Sequence, residues 1–365
     1  MRAAVLTGTD APLVTRDDVE IAPPGPGEVR VKIEASGVCH SDLSVQNGTI
    51  PLPTPIVLGH EGAGVVEELG EGVTRLAVGD HVVLSFVPAC GECFTCTHGQ
   101  PYLCEKSAAQ AAGGLLDGTT RLTSEGAPLH QMACLGTYGQ YAVVPEISAV
   151  KIPDDVPLDV AALIGCGVLT GVGAAVNTAD ISAGDTVAVI GCGGVGMAAI
   201  NGAAIAGAGR IIAIDTNPVK LQLATKLGAT DIVDPARGDV VQQVRELTGG
   251  GVHYSFEVLG RKETAEQSFA MLAAGGTATI VGMIPFGQKI ELHGFDFLRE
   301  RRIQGSSMGS NHFRVDMPRL VEFYMRGKLH LEDWISAKLK LSEINEGFAN
   351  MKAGKTLRSV IMFDA

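Results

Sequence analysis

Residues 186–196 read TVAVIGCGGVG, in which five apolar-strand residues run directly into the glycine pattern G-x-G-x-x-G. The sequence predicts a small-residue helix over Val195–Ala208 and a second strand over Arg210–Asp215. Asp215 stands 19 residues after Gly196, the spacing of the carboxylate that binds an adenosine ribose. Strand, turn, helix and acid in this order predict a dinucleotide site inside a parallel sheet.

The glycines of this loop let a pyrophosphate approach the backbone at the helix N-terminus. We therefore predict cofactor contacts at Gly191, Gly193, Gly194, Val195 and Gly196. The charge of Asp215 would repel a 2′-phosphate, and the following Thr216-Asn217 supplies no arginine, so NAD is predicted over NADP. The alternative is a plain tight turn between two buried elements, which would not require the acid.

Strands and helices continue to alternate after this unit, which is typical of a doubly wound α/β sheet. Strands are predicted at Asp231–Val233, Tyr254–Glu257 and Thr277–Val281, and helices at Pro218–Leu227, Asp239–Thr248 and Lys262–Leu272. Near the C-terminus we expect helices at Pro318–Arg326 and Ile344–Ala353 and a last strand at Arg358–Phe363. The first 150 or so residues differ, because short alternating runs between Gly and Pro turns predict a β-barrel-like domain.

Composition excludes several classes of protein. The 365 residues are 46% hydrophobic and 19% charged, a globular balance of about two domains. A net charge of −12 with 5% aromatic residues argues against nucleic acid or an anionic membrane as partner. Residues 186–209 carry no charge, but seven glycines interrupt them, so we expect a buried strand, turn and helix and no membrane span. The N-terminus shows no signal peptide, so a cytoplasmic protein with reduced cysteines is expected.

Four cysteines form the strongest local motif, with the pattern C-x2-C-x2-C-x7-C at Cys90, Cys93, Cys96 and Cys104. Four thiolates on one loop can enclose a tetrahedral Zn²⁺ and leave no open position, which is a structural site. Disulfides and an iron–sulfur cluster are the alternatives, and the reducing compartment and two-residue spacings favour zinc.

Several stretches of the chain resemble the zinc-dependent, medium-chain alcohol dehydrogenase family, and together they extend along essentially its whole length. They are GVCHSD (37–42), GHEGAG (59–64), the four-cysteine lobe, GCGVLTG (165–171) and the dinucleotide loop with Asp215. The resemblance implies a GroES-like β-barrel catalytic domain over 1–167, with a structural-zinc lobe at 88–135, completed by 308–365. It also implies a Rossmann NAD-binding domain over 168–307, with the active site in the cleft.

The resemblance also implies roles for single residues. Cys39, His60 and Cys166 would bind a catalytic zinc, Asp42 would orient the zinc-binding His60, and Glu61 would be an acid near the metal. Ser41 would hydrogen-bond the substrate alcohol and take its proton. Cofactor contacts would be made by His40, Thr170, Lys220 and Arg358, and Phe86 would form a wall of the substrate pocket. Taken singly, buried cysteines, ordinary polar residues or a core aromatic remain the alternatives.

Two departures from the family pattern bear on the reaction. Ser44 stands where the family's proton relay often ends in a histidine, so the relay is expected to finish through water. The stretch EKSAAQ (105–110) lacks the arginine of the glutathione-dependent formaldehyde branch, which disfavours that branch. The segment Glu105–Ala133 is retained, which in the family accompanies dimers.

These features together predict an NAD-dependent oxidoreductase that carries two zinc ions and reversibly oxidises a primary aliphatic or benzylic alcohol to its aldehyde. The expected partners are this small-molecule substrate and a second copy of the chain, in a homodimer. The alternatives are a formaldehyde dehydrogenase that acts on a thiol adduct, and a non-catalytic protein that binds zinc and dinucleotide.

Overall fold

The computed structural model describes residues 1–363, which fall into two compact units. One unit is formed by Met1–Cys166 together with the chain from His312 onward, and the other by Gly167–Asn311. The sequence predicts domains over 1–167 with 308–365 and over 168–307, and these boundaries remain a prediction.

The first unit is built from short strands and few helices. Its strands begin with β1 Ala3–Leu6, β2 Val14–Arg16, β3 Val19–Ile21, β4 Glu28–Gly37, β5 Ile56–Val57, β6 Gly62–Leu69, β7 His81–Leu84, β8 Leu122–Ser124, β9 Ala127–Gln131, β10 Tyr141–Pro145 and β11 Ala149–Lys151. Its helices here are α1 His40–Gln46, α2 Phe94–Thr97 and α3 Leu158–Leu163. Glycine and proline turns separate these elements, as the barrel prediction requires.

The second unit contains the predicted parallel sheet. Its helices are α4 Leu169–Gly173, α5 Gly194–Ile205, α6 Pro218–Lys226, α7 Val240–Thr248 and α8 Lys262–Ala270. Its strands are β12 Thr186–Ile190, β13 Arg210–Ile214, β14 Asp231–Val233, β15 Val252–Glu257, β16 Leu272–Ile280 and β17 Arg302–Gly305. They pair in parallel in the order β14-β13-β12-β15-β16-β17. β12 lies inside the sheet between β13 and β15, and four of its five residues, Val187 to Ile190, are buried.

The chain then returns to the first unit. It adds α9 Phe313–Met325, β18 Ile335–Leu339, α10 Ile344–Lys352 and β19 Arg358–Met362. One sheet runs β11-β7-β6-β4-β19-β18 with β10 also paired to β4, and the other runs β2-β1-β5-β9-β8-β3. A barrel-like set of sheets in one unit and a parallel sheet in the other confirm the predicted fold class.

Helix α9 corrects the expectation that a helix begins at Pro318. It begins at Phe313, and Pro318 lies inside it. The Asp316 carboxylate accepts the backbone N–H of His312 at 2.7 Å and fixes this earlier start. Pro318 lacks an amide hydrogen, so the helix gives up one backbone hydrogen bond there.

Two apolar segments are long enough to be compared with a membrane span. Residues 186–209 form β12 and α5, as expected of a strand, turn and helix. The helical run Leu158–Thr178 meets the length and hydropathy of a span, but 94% of its apolar window is buried in the structure. Burial of this kind is typical of a core helix.

Candidate active site

Three separate parts of the first unit bring four potential metal ligands together. Cys39 precedes α1, His60 and Glu61 precede β6, and Cys166 lies in the π-helical segment Ile164–Val168. One donor atom from each of the four lies within 4.8 Å of all the others, and all four residues are buried. π-helical turns are frequent at functional sites because they re-aim a side chain.

His60 provides the observation that a metal fits here. Its Nδ1 lies 3.2 Å from Asp42 Oδ1, so Nδ1 carries the proton that the carboxylate accepts. Its Nε2 is buried and has no hydrogen-bond partner within residues 1–363. A buried nitrogen without a partner is costly. Two cysteine sulfurs beside a free imidazole nitrogen are the donor set of a catalytic zinc, so the residues present fit that ion.

The pKa values of the potential ligands depend on one another. Burial lowers the pKa of His60, but the Asp42 carboxylate and the Cys39 sulfur outweigh it and raise the pKa to about 10. A hydrogen bond with Cys166 lowers the pKa of Cys39 well below its usual range, and the same bond raises the pKa of Cys166. Cys39 is therefore the one of the two thiols that loses its proton more readily.

Asp42 is a buried carboxylate whose two oxygens are fully used. Oδ1 accepts the Gly59 N–H at 3.0 Å and the His60 Nδ1–H. Oδ2 accepts the Cys39 N–H at 3.1 Å and the Tyr138 hydroxyl at 2.9 Å. The sequence singled out Asp42 but missed Tyr138, which belongs to no motif and reaches the site from a distant segment.

Glu61 and Arg358 form a buried pair next to the ligands. The Arg358 guanidinium donates to Glu61 Oε2, and Arg358 is only 8% exposed. Glu61 Oε1 has no partner within the described residues. Arg358 therefore lies against an acid beside the metal site, and its expected contact with a cofactor phosphate stays a prediction.

Ser41 and Phe86 also lie at this cluster. Ser41 Oγ is 3.8 Å from Cys39 Sγ. The Phe86 ring meets the His60 imidazole edge to face, with 5.6 Å between ring centroids. His40 is exposed at the start of α1, and Ser44 follows on the same helix. A hydroxyl and an apolar wall thus stand beside the proposed ligands.

The four-cysteine lobe forms the second cluster. Sulfur atoms of Cys90, Cys93, Cys96 and Cys104 all lie within 4.8 Å of one another. The Thr95 hydroxyl is the main cause that lowers the pKa of Cys93 to about 6, whereas burial raises the pKa of Cys96 to about 12. Four sulfurs leave no position for substrate, so this cluster fits a structural zinc.

The dinucleotide loop of the second unit has room for a pyrophosphate. Gly191 has φ +101, and a Cβ at Gly196 would collide with the Gly191 carbonyl. At Gly193, the residue before α5, no atom lies within 4 Å of where a Cβ would be. This open space at the N-terminus of a 12-residue helix is where an anion is favoured.

Asp215 directly follows β13, and its side chain contacts the glycine loop that follows β12. Its carboxylate accepts the N–H of Cys192 and the N–H of Asn217, each at 2.8 Å. Burial and the Asp215 carboxylate raise the pKa of Cys192 to about 12, and the charge of Lys220 on α6 acts against them. Thr170 on α4 is mostly buried, with its hydroxyl 3.6 Å from Met308 Sδ.

The chain is similar to known proteins along nearly its whole length. Residues 25–154 match the model of the alcohol dehydrogenase GroES-like domain, and residues 194–325 that of the zinc-binding dehydrogenase. The chain is 42% identical to the class-3 alcohol dehydrogenase of Drosophila melanogaster, over 99% of this chain and 97% of that protein. It is also 42% identical to the S-(hydroxymethyl)glutathione dehydrogenase of Synechocystis sp., over 99% of both proteins.

A solved structure extends the comparison. Benzyl alcohol dehydrogenase from Acinetobacter calcoaceticus superposes with a TM-score of 0.95 at 33% identity, covering 100% of this chain and 99% of that one. A zinc-binding dehydrogenase from Sinorhizobium meliloti, solved with NADP bound, superposes with a TM-score of 0.82 at 30% identity over 99% of both chains. These matches and the two clusters confirm the predicted cofactors at the level of two zinc ions and NAD or NADP per chain.

Proposed function

The chain belongs to the zinc-dependent, medium-chain alcohol dehydrogenase family, and we propose that it oxidises a primary alcohol to the aldehyde with NAD⁺. In the balanced reaction the alcohol and NAD⁺ give the aldehyde, NADH and one proton, and the reverse reaction reduces an aldehyde. The observation that carries this proposal is the buried set of Cys39, His60 and Cys166 with a hydroxyl beside it.

We propose that Cys39, His60 and Cys166 hold the catalytic zinc and that the lobe cysteines hold the structural one. Zinc supplies Lewis acidity that lowers the pKa of an alcohol hydroxyl, and NAD⁺ supplies the oxidising power. Asp42 keeps the proton of His60 on Nδ1, so Nε2 stays free to bind a metal. Ser41 takes the proton of the substrate hydroxyl and passes its own proton to water, and the ring of Phe86 packs against His60 as an apolar wall.

Asp215 supports NAD over NADP. Asp215 directly follows β13, and its carboxylate contacts the glycine loop. There it would accept hydrogen bonds from ribose hydroxyls and repel a 2′-phosphate. The same carboxylate already accepts two backbone N–H groups. Its negative charge is therefore fixed in place before any cofactor binds.

The substrate preference divides into two candidates that share a primary –CH2OH group. The lysine and arginine of the lobe are both engaged: Lys106 pairs with Glu92 at 2.5 Å, and Arg121 pairs with Glu28 at 2.8 Å. With both cations paired and no arginine at residues 105–110, we propose the uncharged alcohol as the first candidate substrate. The second candidate, an S-(hydroxymethyl)thiol, is favoured by the activity for which the Synechocystis relative is named.

Metal analysis combined with NADH formation tests the proposal. The purified protein is assayed with primary, secondary and benzylic alcohols, each with NAD⁺ and with NADP⁺. We expect two zinc ions per chain and NADH formation that is fastest with a primary alcohol. Two zinc ions with no reduced cofactor from any alcohol would instead favour the non-catalytic binding protein.

Formaldehyde separates the two substrates. NADH formation is measured with formaldehyde alone, with glutathione alone and with both together. We expect the mixture to give a lower kcat/KM than benzyl alcohol. A kcat/KM for the mixture that exceeds every simple alcohol by tenfold or more would establish the thiol adduct as the substrate.

We also propose that the chain acts as a homodimer in the cytoplasm, as the sequence predicts. Sedimentation equilibrium tests the first statement, because a monomer of 37.9 kDa and its dimer differ twofold in mass.

A further inference from the structure

Tyr138 lies behind the proposed catalytic metal site and supplies none of its ligand atoms. Its side chain is fully buried, and its hydroxyl lies 2.9 Å from Asp42 Oδ2. The hydroxyl donates its one proton to this carboxylate oxygen, the nearer of its two acceptors, because the Gly37 carbonyl is 3.3 Å away. A chain of hydrogen bonds therefore runs from Tyr138 through Asp42 to the Nδ1–H of His60.

The backbone around Tyr138 is joined to the segment that carries His60. Tyr138 N–H donates to the Leu58 carbonyl at 2.9 Å, and Thr137 N–H donates to the Gly59 carbonyl at 3.0 Å. Gly59 has φ +92, and a Cβ there would lie 2.6 Å from both Thr137 Oγ1 and the Tyr138 ring. The phenol is thus held at a fixed place relative to His60.

We propose that Tyr138 is a positioning residue, which sets the affinity of the catalytic site for zinc by fixing the Asp42 carboxylate. The inference rests on the proposed function, because it takes Cys39, His60 and Cys166 as zinc ligands. Asp42 is 0% exposed, so no water can replace a lost donor without rearrangement. With the hydroxyl gone, Oδ2 keeps only the Cys39 N–H, and the carboxylate holds the imidazole less firmly.

Tyr138→Phe is the matched test, because it removes the hydroxyl alone and keeps the ring that packs near Phe348, 6.4 Å away between ring centroids. The readout is the rate at which zinc passes from the holoenzyme to a chromogenic chelator. Partners of a zinc-binding histidine typically change metal affinity by about 10- to 100-fold. Tyr138 is one hydrogen bond further from the zinc than Asp42 is, so we expect the lower end of this range. In Tyr138→Phe the catalytic zinc should leave about tenfold faster.

Four other variants make the measurement specific. Cys166→Ala and Cys93→Ala identify the catalytic and structural phases of release. Tyr324→Phe is the control, since the Tyr324 hydroxyl bonds Glu332 on the same unit, away from both clusters. In an Asp42→Asn background, Tyr138→Phe should add little further acceleration, because its effect passes through Asp42.

Two results would overturn the inference. One is release of the catalytic zinc at the parental rate in Tyr138→Phe. The other is equal acceleration of both zinc phases, which would show general loosening of the fold instead of an effect on one site. If the parent protein holds only the structural zinc, the proposed catalytic site itself is wrong. Failure of the proposed function can therefore be told apart from failure of the inference about Tyr138.

Discussion

The carboxylate of Asp215 accepts the backbone N–H of Cys192 at 2.8 Å, which joins the end of β13 to the glycine loop that follows β12. One side chain therefore shapes the loop and also presents the charge that would read the ribose. Changes at this position are expected to affect both properties, and a control must separate them.

Asp215→Gly should weaken NAD⁺ binding and narrow the preference over NADP⁺. Hydrogen bonds to a charged group contribute about 1.5–3 kcal/mol each, so the Kd for NADH should rise at least tenfold. Fluorescence titration with NADH and NADPH measures both affinities. Asn217→Ala keeps the carboxylate and should keep the preference, whereas an unchanged preference in Asp215→Gly would mean that another residue reads the ribose.

Cys93→Ala should remove about one zinc per chain and lower the melting temperature by about 5 °C or more, because a closed zinc site contributes folding free energy. Elemental analysis and differential scanning calorimetry measure the two effects. Cys134→Ala is the control: this thiol is buried outside both clusters, so its loss should lower stability with full metal content. Full metal and normal melting in Cys93→Ala would show that the four-cysteine assignment is wrong.

The catalytic site should bind zinc more tightly as the pH rises. The pKa of His60 is raised to about 10 and that of Cys166 is raised too, so both hold a proton at neutral pH when the metal is absent. Zinc must displace these protons, so lowering the pH favours the metal-free form. Chelator competition between pH 6.5 and 7.5 should give a slope of about two protons per zinc. A pH-independent affinity would contradict this charge assignment.

Ser41→Ala should lower the rate of alcohol oxidation by about 100-fold or more, because positioned proton transfer contributes at least that factor. Ser44→Ala should change the rate little. Ser44→His should add a pH dependence near ~6.5, the ordinary pKa of histidine. Single-turnover rates against pH keep NADH release from hiding the chemistry. A large loss in Ser44→Ala, or such a step already in the parent, would mean that Ser44 or a histidine such as His40 is the relay.

Local pattern in the sequence predicted five of the six strands of the parallel sheet and missed the edge strand β17. Strands β12 and β14 have the bounds predicted for them, Thr186–Ile190 and Asp231–Val233. Their apolar runs end at turns that the sequence marks clearly. The helix start was placed at Pro318 because proline favours a first turn, whereas Asp316 lies in the first turn of α9 and bonds the N–H of His312.

Some residues of the two sites could likewise be predicted from local sequence, and others could not. The lobe cysteines and the glycine loop are close in sequence, so spacing alone predicts them. Cys39, His60 and Cys166 are far apart, and only the family resemblance suggested that they belong together. The contacts Tyr138–Asp42 and Arg358–Glu61 join segments that only the folded sheets bring together, so no spacing rule could reveal them.

The most direct test of the account is the zinc content and alcohol oxidation of Cys166→Ala, measured on the same preparation. We expect this variant to keep the structural zinc, to lose about one zinc per chain and still to bind NADH through the separate glycine loop. We expect no NADH formation from any primary alcohol that the parent oxidises. Retained alcohol oxidation, or two zinc ions still bound, would remove Cys166 from the ligand set and contradict the proposed catalytic site.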